Sequence, residues 1–138
     1  MIPASKCVAD LRPGDELPVT EKTFTSVDLV MYAGATWDWH RLHHDEGFAS
    51  DMGLPAPVID GQIYGALFAK HAIDWLGPKT FIQRLNFRMR TMAFAGDTLR
   101  TEGQVSEVLD DGVVVLRQQL KKGEKIVAEA VTEVRLIG

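Results

Sequence analysis

Apolar and polar residues change their pattern near the middle of the chain, at about Lys79. Beyond this point, long segments rich in Val, Ile, Leu and Thr are separated by short junctions that contain glycine, which is typical of strands joined by tight turns. The pattern predicts four strands, at Thr80 to Met92, Thr98 to Leu109, Val113 to Lys121 and Lys125 to Ile137. We expect these strands to form an antiparallel meander in which each pairs with the next.

The first half of the chain has a different pattern. A strand is predicted from about Leu17 to Phe24, and Ser26 can cap a short helix that runs through Ala33. No regular period extends over the segment from about Thr36 to Ile59, which we expect to be irregular.

The longest predicted helix runs from about Gly61 to Trp75. Asp60 is placed to cap its beginning, and Gly77 with Pro78 to end it. Apolar residues cover much of its circumference, so we expect other elements to wrap around it. The sequence therefore predicts an α+β fold in which a long antiparallel sheet curls around one buried helix.

Length and composition narrow the class of protein. A chain of 138 residues has the usual size of one domain, so we expect residues 1–138 to fold as one. A net charge of -4, from 15 Lys+Arg against 19 Asp+Glu, argues against nucleic-acid binding by a basic face. The one cysteine, Cys7, favours a reducing compartment such as the cytoplasm. Lys70 and Asp74 interrupt the longest apolar stretch, so we expect no membrane insertion.

The densest polar cluster is the run Trp-Asp-Trp-His-Arg-Leu-His-His-Asp at residues 37–45, which holds three of the four histidines. Three interpretations of this run are open: a metal site, acid-base chemistry without metal, and a loop with capping and solvated side chains. The chain has no HExxH motif and no cysteine nearby, so we expect no metal. Acid-base chemistry would pair Asp38 with His43 if the loop turns between them.

Further motifs carry a resemblance to a known family. They are Tyr32-Ala33, Thr36-x-Asp38-x-His40-x-x-His43-x-Asp45, Ala49, Gly53-Leu54-Pro55, Pro57-Val58-Ile59-Asp60-Gly61, Phe87-Arg88-Met89-Arg90, Phe94 and Gly96-Asp97-Thr98-Leu99. Their order and spacing over residues 12 to 136 resemble the MaoC-like hydratases. The resemblance implies the hot-dog fold of that family, a curved antiparallel sheet wrapped around a long central helix.

The resemblance also implies a function. Members of this family reversibly hydrate trans-2-enoyl thioesters to (R)-3-hydroxyacyl thioesters that are carried on coenzyme A or an acyl carrier protein. By resemblance, Asp38 and His43 are the catalytic pair and hold one water molecule between them. We expect the backbone N–H of Gly61, at the helix start, to bind the thioester oxygen. No cofactor is expected, because the carrier is part of the substrate.

The chain departs from the family at two positions. His40 replaces the usual Asn two residues after the catalytic Asp, and Asp60 replaces the usual His before the helix-start Gly. We expect both residues to support the loop. Arg88 and Arg90 share one face of their predicted strand, which is either a solvated surface or a contact for the phosphates of coenzyme A or a carrier protein.

Two other functions remain open at this point. The same fold supports acyl-CoA thioesterases, which direct water at the carbonyl carbon. The chain is alternatively a binding module, or a subunit of a heteromeric hydratase, that lacks activity of its own. Since members of the family usually pair edge to edge, we expect a homodimer or an oligomer of dimers, with a heterodimer as the alternative.

Overall fold

The computed structural model describes residues 4–137. Its elements are β1 (Thr20–Thr23), α1 (Ser26–Thr36), α2 (Glu46–Asp51), α3 (Gln62–Leu76), β2 (Thr80–Met89), β3 (Thr98–Val108), β4 (Val113–Lys122) and β5 (Lys125–Leu136), with short 3-10 turns at Val8–Asp10 and Arg41–His43. The predicted elements are all found. The prediction that residues 1–138 form one domain stays a prediction, and its outermost residues lie outside the described range.

The five strands form one antiparallel sheet in the order β1-β3-β4-β5-β2. The predicted four-strand meander is therefore wrong in one connection. Strands β3, β4 and β5 follow one another, but β2 pairs with β5, as in the register Thr80 to Leu136 and Met89 to Ala128. Between β2 and β3 the chain crosses from one edge of the sheet, past β5 and β4, to the position next to β1. Strands β1 and β2 are the two edge strands.

Strand β2 ends earlier than the alternation of its residues predicts. The N–H groups of both Arg90 and Thr91 donate to the carbonyl of Val127, at 2.8 and 3.2 Å. Two residues thus face one on β5, and the ladder stops at Met89 instead of Met92.

Helix α3 packs on the concave face of the sheet. Its buried residues join two apolar clusters, one around Phe68 with Leu120 and Val127, the other around Leu76 with Val134. The sheet covers only one side of the helix, and Ala66 is exposed on the other side. The apolar circumference of the helix predicts cover on all sides, whereas the described residues leave this side open.

The helix starts differ by one residue from the prediction. Thr25, not Ser26, caps α1: its Oγ1 accepts from the N–H of Asp28, whose carboxylate accepts in return from the N–H of Thr25. Gly61 is the residue before the first turn of α3, and the Asp60 carboxylate accepts from the N–H of Gln62 at 3.0 Å. The Asp60 side chain thus satisfies one free donor of the helix, as predicted.

The helices within residues 4–137 are all too short or too polar to cross a membrane.

Candidate active site

A sharp turn after α1 brings the polar run into the protein. Trp37 has a left-handed backbone, with φ 59°, and the N–H of Asp38 donates back to the carbonyl of Ala33 at 3.1 Å. The Asp38 side chain, which is half-buried, consequently lies over the last turns of α1 instead of continuing away from it. The turn requires a conformation that residues other than glycine rarely adopt.

His43 lies in the 3-10 turn that follows. Its Nδ1 is 2.8 Å from the carbonyl oxygen of Val58. Since a carbonyl oxygen only accepts, Nδ1 carries the hydrogen and Nε2 of the neutral ring has a free lone pair. The segment before α3 therefore fixes both the orientation of the ring and its tautomer.

Asp60 completes a cluster with the predicted pair. Asp38, His43 and Asp60 each offer one oxygen or nitrogen, and these three atoms all lie within 4.8 Å of one another. Asp60 is buried, with 7% of its surface exposed. Loop and helix start thus bring together residues that are separated by up to 22 positions (60 − 38) in the chain.

The neighbours of Asp38 favour its ionised form. A hydrogen bond from the Asp60 carboxyl lowers the pKa of Asp38, and the N–H of His40 and the imidazoles of His43 and His40 act in the same direction. Asp38 is therefore ionised at neutral pH.

The donor set also has the chemistry of a cation site. Two carboxylates and one imidazole are ligands that divalent metals accept. The expectation that no metal takes part in the reaction stays a prediction, and the geometry gives it a direct test by chelation.

His40 supports the loop, but it stands apart from the cluster. Its Nδ1 accepts from the N–H of Leu42 at 3.1 Å, so the side chain caps the 3-10 turn that carries His43. The two imidazole centroids are 6.0 Å apart. The hydrogen bond to Leu42 agrees with the predicted support of the loop by His40. Any effect of His40 on the reaction stays a prediction.

Tyr32 also lies at this site, although in the sequence it stands out only as part of a motif. It lines the small cavity around Asp38, His43 and Asp60. Burial raises the pKa of the Tyr32 hydroxyl, and the carboxylates of Asp60 and Asp38 raise it further, so the hydroxyl remains a hydrogen-bond donor at neutral pH. The left-handed turn at Trp37 folds Asp38 back towards this face of α1, a proximity that the sequence does not show.

Gly61 lies where the prediction requires it, at the beginning of α3 next to Asp60. Among residues 4–137, its N–H finds no hydrogen-bond acceptor, which leaves it available to a ligand. The space that a side chain would occupy at Gly61 is filled by the sulfur of Met89 on β2. Glycine is thus required here by the close approach of the neighbouring strand.

The comparison with known proteins identifies the family. The family model described as "MaoC like domain" matches residues 10–130, which is most of the chain. The chain belongs to the MaoC-like family. Membership places this MaoC-like chain among hydratases and dehydratases.

Individual relatives are distant in sequence. The chain is 28% identical over 89 residues, 64% of its own length and 68% of the relative's, to the "3-oxo-4,17-pregnadiene-20-carboxyl-CoA hydratase beta subunit" of Mycobacterium tuberculosis. The R-hydratase of Pseudomonas aeruginosa superimposes with a TM-score of 0.88 at 23% identity, over 94% of this chain and 84% of that one. A structure of the ChsH1-ChsH2 complex from Mycobacterium tuberculosis gives 0.85 at 23%, over 91% and 98%.

At these identities the two structures show the fold alone. It is the hot-dog fold, so the predicted α+β class and the MaoC-like family are both confirmed. The functional roles of Asp38, His43, Gly61, His40 and Asp60 stay predictions, which their positions in the MaoC-like domain support.

The predicted phosphate contacts lie away from this cluster. Phe87 on β2 faces Gly65 of α3, so Arg88 projects from the opposite, outer face of the sheet. Arg90 pairs there with Glu129 at 2.9 Å. Any role of Arg88 and Arg90 in binding coenzyme A or a carrier protein stays a prediction.

Proposed function

We propose that this MaoC-like protein reversibly hydrates trans-2-enoyl thioesters to (R)-3-hydroxyacyl thioesters. The observation that carries the proposal is the approach of a carboxylate oxygen of Asp38 and a ring nitrogen of His43 to within 4.8 Å. Both groups are hydrogen-bond acceptors, since Asp38 is ionised and Nδ1 of His43 carries the ring hydrogen. We assign to this pair a water molecule that donates one hydrogen to each acceptor.

The reaction needs both of these groups. As the water oxygen bonds to the β-carbon, one O–H bond breaks and its proton passes to the pair; a proton returned from the pair forms the new C–H bond at the α-carbon. Protonation of one group affects protonation of the other, so the roles of base and acid are assigned to the pair and not to either residue alone. No oxidant, metal or organic cofactor enters this balance.

The thioester oxygen gains negative charge during the addition. The N–H of Gly61 is unpaired among residues 4–137 and lies at the start of α3, where the helix dipole favours negative charge. We assign the thioester oxygen to this N–H, with coenzyme A or an acyl carrier protein as the thiol part of the substrate.

A specific comparison favours a variation on this proposal. The curated relative is named as a beta subunit, and the ChsH1-ChsH2 structure is a complex of two proteins. A heteromeric hydratase, in which a second chain completes the site, is therefore the alternative to a homodimer.

The exposed Cys7, the one cysteine of the chain, fits the reducing cytoplasm that we propose as its location.

The test is a hydration assay on the purified protein. We expect loss of the enoyl-thioester absorbance with crotonyl-coenzyme A and with a longer enoyl-coenzyme A, without release of free thiol. Thiol release would assign a thioesterase instead. If neither substrate is hydrated until a second hot-dog chain is added, the result would support the heteromer. Activity should survive treatment with EDTA, since a loss that added zinc reverses would contradict the metal-free mechanism.

The Asp60 hydrogen bond makes a separate prediction. Asp60→Ala removes the donor that holds the pKa of Asp38 down, so this pKa should rise, and Asp38 should take up its proton at a higher pH. Asp60→Asn keeps a side-chain hydrogen-bond donor at this position and should leave the pKa of Asp38 low. NMR titration of the Asp38 carboxyl carbon measures both, with Asp38→Asn to assign the signal.

Equal Asp38 titrations in Asp60→Ala and in the unchanged protein would contradict the hydrogen bond. The Asn variant controls for folding, because its Oδ1 can still accept from the N–H of Gln62.

A further inference from the structure

A large groove lies between α1, α3 and β1, on the side of α3 that the sheet leaves uncovered. Its volume is about 710 Å³, which is within the range of sites that bury small molecules. The floor is apolar and is formed mainly by Phe24, Met31, Tyr32, Ile63, Ala66 and Leu67. Such a surface stabilises a hydrocarbon by removing it from water.

The groove adjoins the candidate catalytic cluster. Tyr32 and Ile63 line both the groove and the small cavity that contains Asp38, His43 and Asp60. Tyr32 and Ile63 therefore connect the apolar lining of the groove with the side chains of the candidate catalytic cluster.

The groove then follows α3. Ile63, Ala66, Leu67, Lys70 and Asp74 all line it, at spacings of three and four residues that place them along one side of the helix. From Ile63 to Asp74 is 11 residues (74 − 63), or about 16 Å at the rise of an α-helix. This length is far greater than a crotonyl group needs.

The charges along the groove do not favour an ionised ligand. Lys70 pairs with Asp74, and Lys22 lies 3.8 Å from Asp28, so the lysines are occupied. The remaining carboxylate, Glu21, would repel an anionic tail. An acyl group that ends in a carboxylate or phosphate is disfavoured, and an uncharged one is accepted.

We infer that this groove binds the acyl chain of the substrate, and that the preferred substrates carry long, uncharged, apolar acyl groups. The inference rests on the proposed function for the position of the thioester. It adds a specificity determinant, Ala66, whose small side chain leaves the middle of the groove open.

Chain-length preference tests the inference. For the unchanged protein, kcat/KM for dodecenoyl-coenzyme A should exceed that for crotonyl-coenzyme A at least about tenfold, since each methylene in an apolar pocket contributes strongly to discrimination. Ala66→Leu fills the groove and should lower this ratio at least about tenfold. Ile73→Phe enlarges an exposed residue of α3 outside the groove and should leave the ratio within about twofold. A ratio near one, or one that Ala66→Leu does not change, overturns the inference.

Calorimetry with saturated thioesters separates this inference from the proposed reaction. Dodecanoyl-coenzyme A should bind more tightly than butyryl-coenzyme A, and Ala66→Leu should remove the difference, whether or not any enoyl thioester is hydrated. Binding of this kind without turnover would sustain the groove and contradict the hydratase. Hydration of crotonyl-coenzyme A with no difference in binding would sustain the hydratase and overturn the groove. The absence of both turnover and a difference in binding would contradict the hydratase and overturn the groove.

Discussion

Asp38→Asn and His43→Ala should each lower kcat for hydration of an enoyl-coenzyme A at least about a hundredfold, the usual contribution of a positioned acid or base. Asn in place of Asp38 accepts through its carbonyl oxygen but takes up no proton. Ala in place of His43 removes Nε2, the acceptor that the Val58 carbonyl orients. Stopped-flow or steady-state absorbance at the enoyl-thioester band measures the loss.

Because the proposed mechanism places one water molecule between the two residues, their effects should not add. The double variant should be about as slow as the slower single variant, as is usual for groups that act as a unit. His44→Ala is the matched control, since the neighbouring imidazole faces the carbonyl of Trp39 at 3.1 Å instead of the cluster. Asp51→Asn, exposed in α2, is the matched carboxylate control. Turnover near the unchanged level in both site variants would refute the assignment of the pair.

Gln118→Leu should lower the free energy of unfolding by about 3 kcal/mol, because it leaves several buried polar groups without partners. Gln118 is buried on β4, where its Nε2 donates to the carbonyl of Phe68 and to Nδ1 of His71, both at 3.0 Å. Its Oε1 accepts from the hydroxyl of Thr132 at 2.6 Å. Leu preserves the approximate volume of the side chain and removes all three hydrogen bonds. Urea denaturation followed by circular dichroism measures the difference.

Gln119→Leu is the matched control for this variant. Gln119 lies next in the chain, is half-buried, and makes no side-chain hydrogen bond to residues 4–137, so its replacement should change the stability by less than about 0.5 kcal/mol. Equal losses in the two variants would show that the polar network beneath α3 contributes nothing specific.

His71 illustrates what this network decides. Its Nε2 donates to the carbonyl of Pro18 at 2.7 Å, and its Nδ1 accepts from Gln118, so both ring nitrogens are used by the neutral form. Burial lowers the pKa of His71, which keeps it neutral. It is a core histidine and stands outside the candidate catalytic cluster. The sequence alone does not identify these hydrogen-bond partners.

The local features of the fold are readable from the sequence, because they depend on neighbouring residues. Strands β3, β4 and β5 follow from apolar residues between glycine turns, and α3 follows from the helical spacing that ends at Gly77. The pairing of β2 with β5 has no such signal. Strand pairing at this separation depends on which surfaces bury together, and alternation along β2 is compatible with several neighbours.

The candidate site likewise combines residues that the sequence identifies with distances that only the tertiary structure shows. Motif spacing selects Asp38, His43 and Gly61 as residues of interest, and it marks Asp60 as unusual for the family. Their approach depends on two features of the tertiary structure, the left-handed turn at Trp37 and the contact between His43 and Val58.

The sequence by itself determined the strands and helices, the family and the residue types available for chemistry, since each of these is recorded in local order and spacing. Only the tertiary structure decided which groups surround Asp38, which tautomer His43 adopts and where the groove along α3 lies. Those properties depend on distances between side chains that are far apart in the chain, and packing sets these distances.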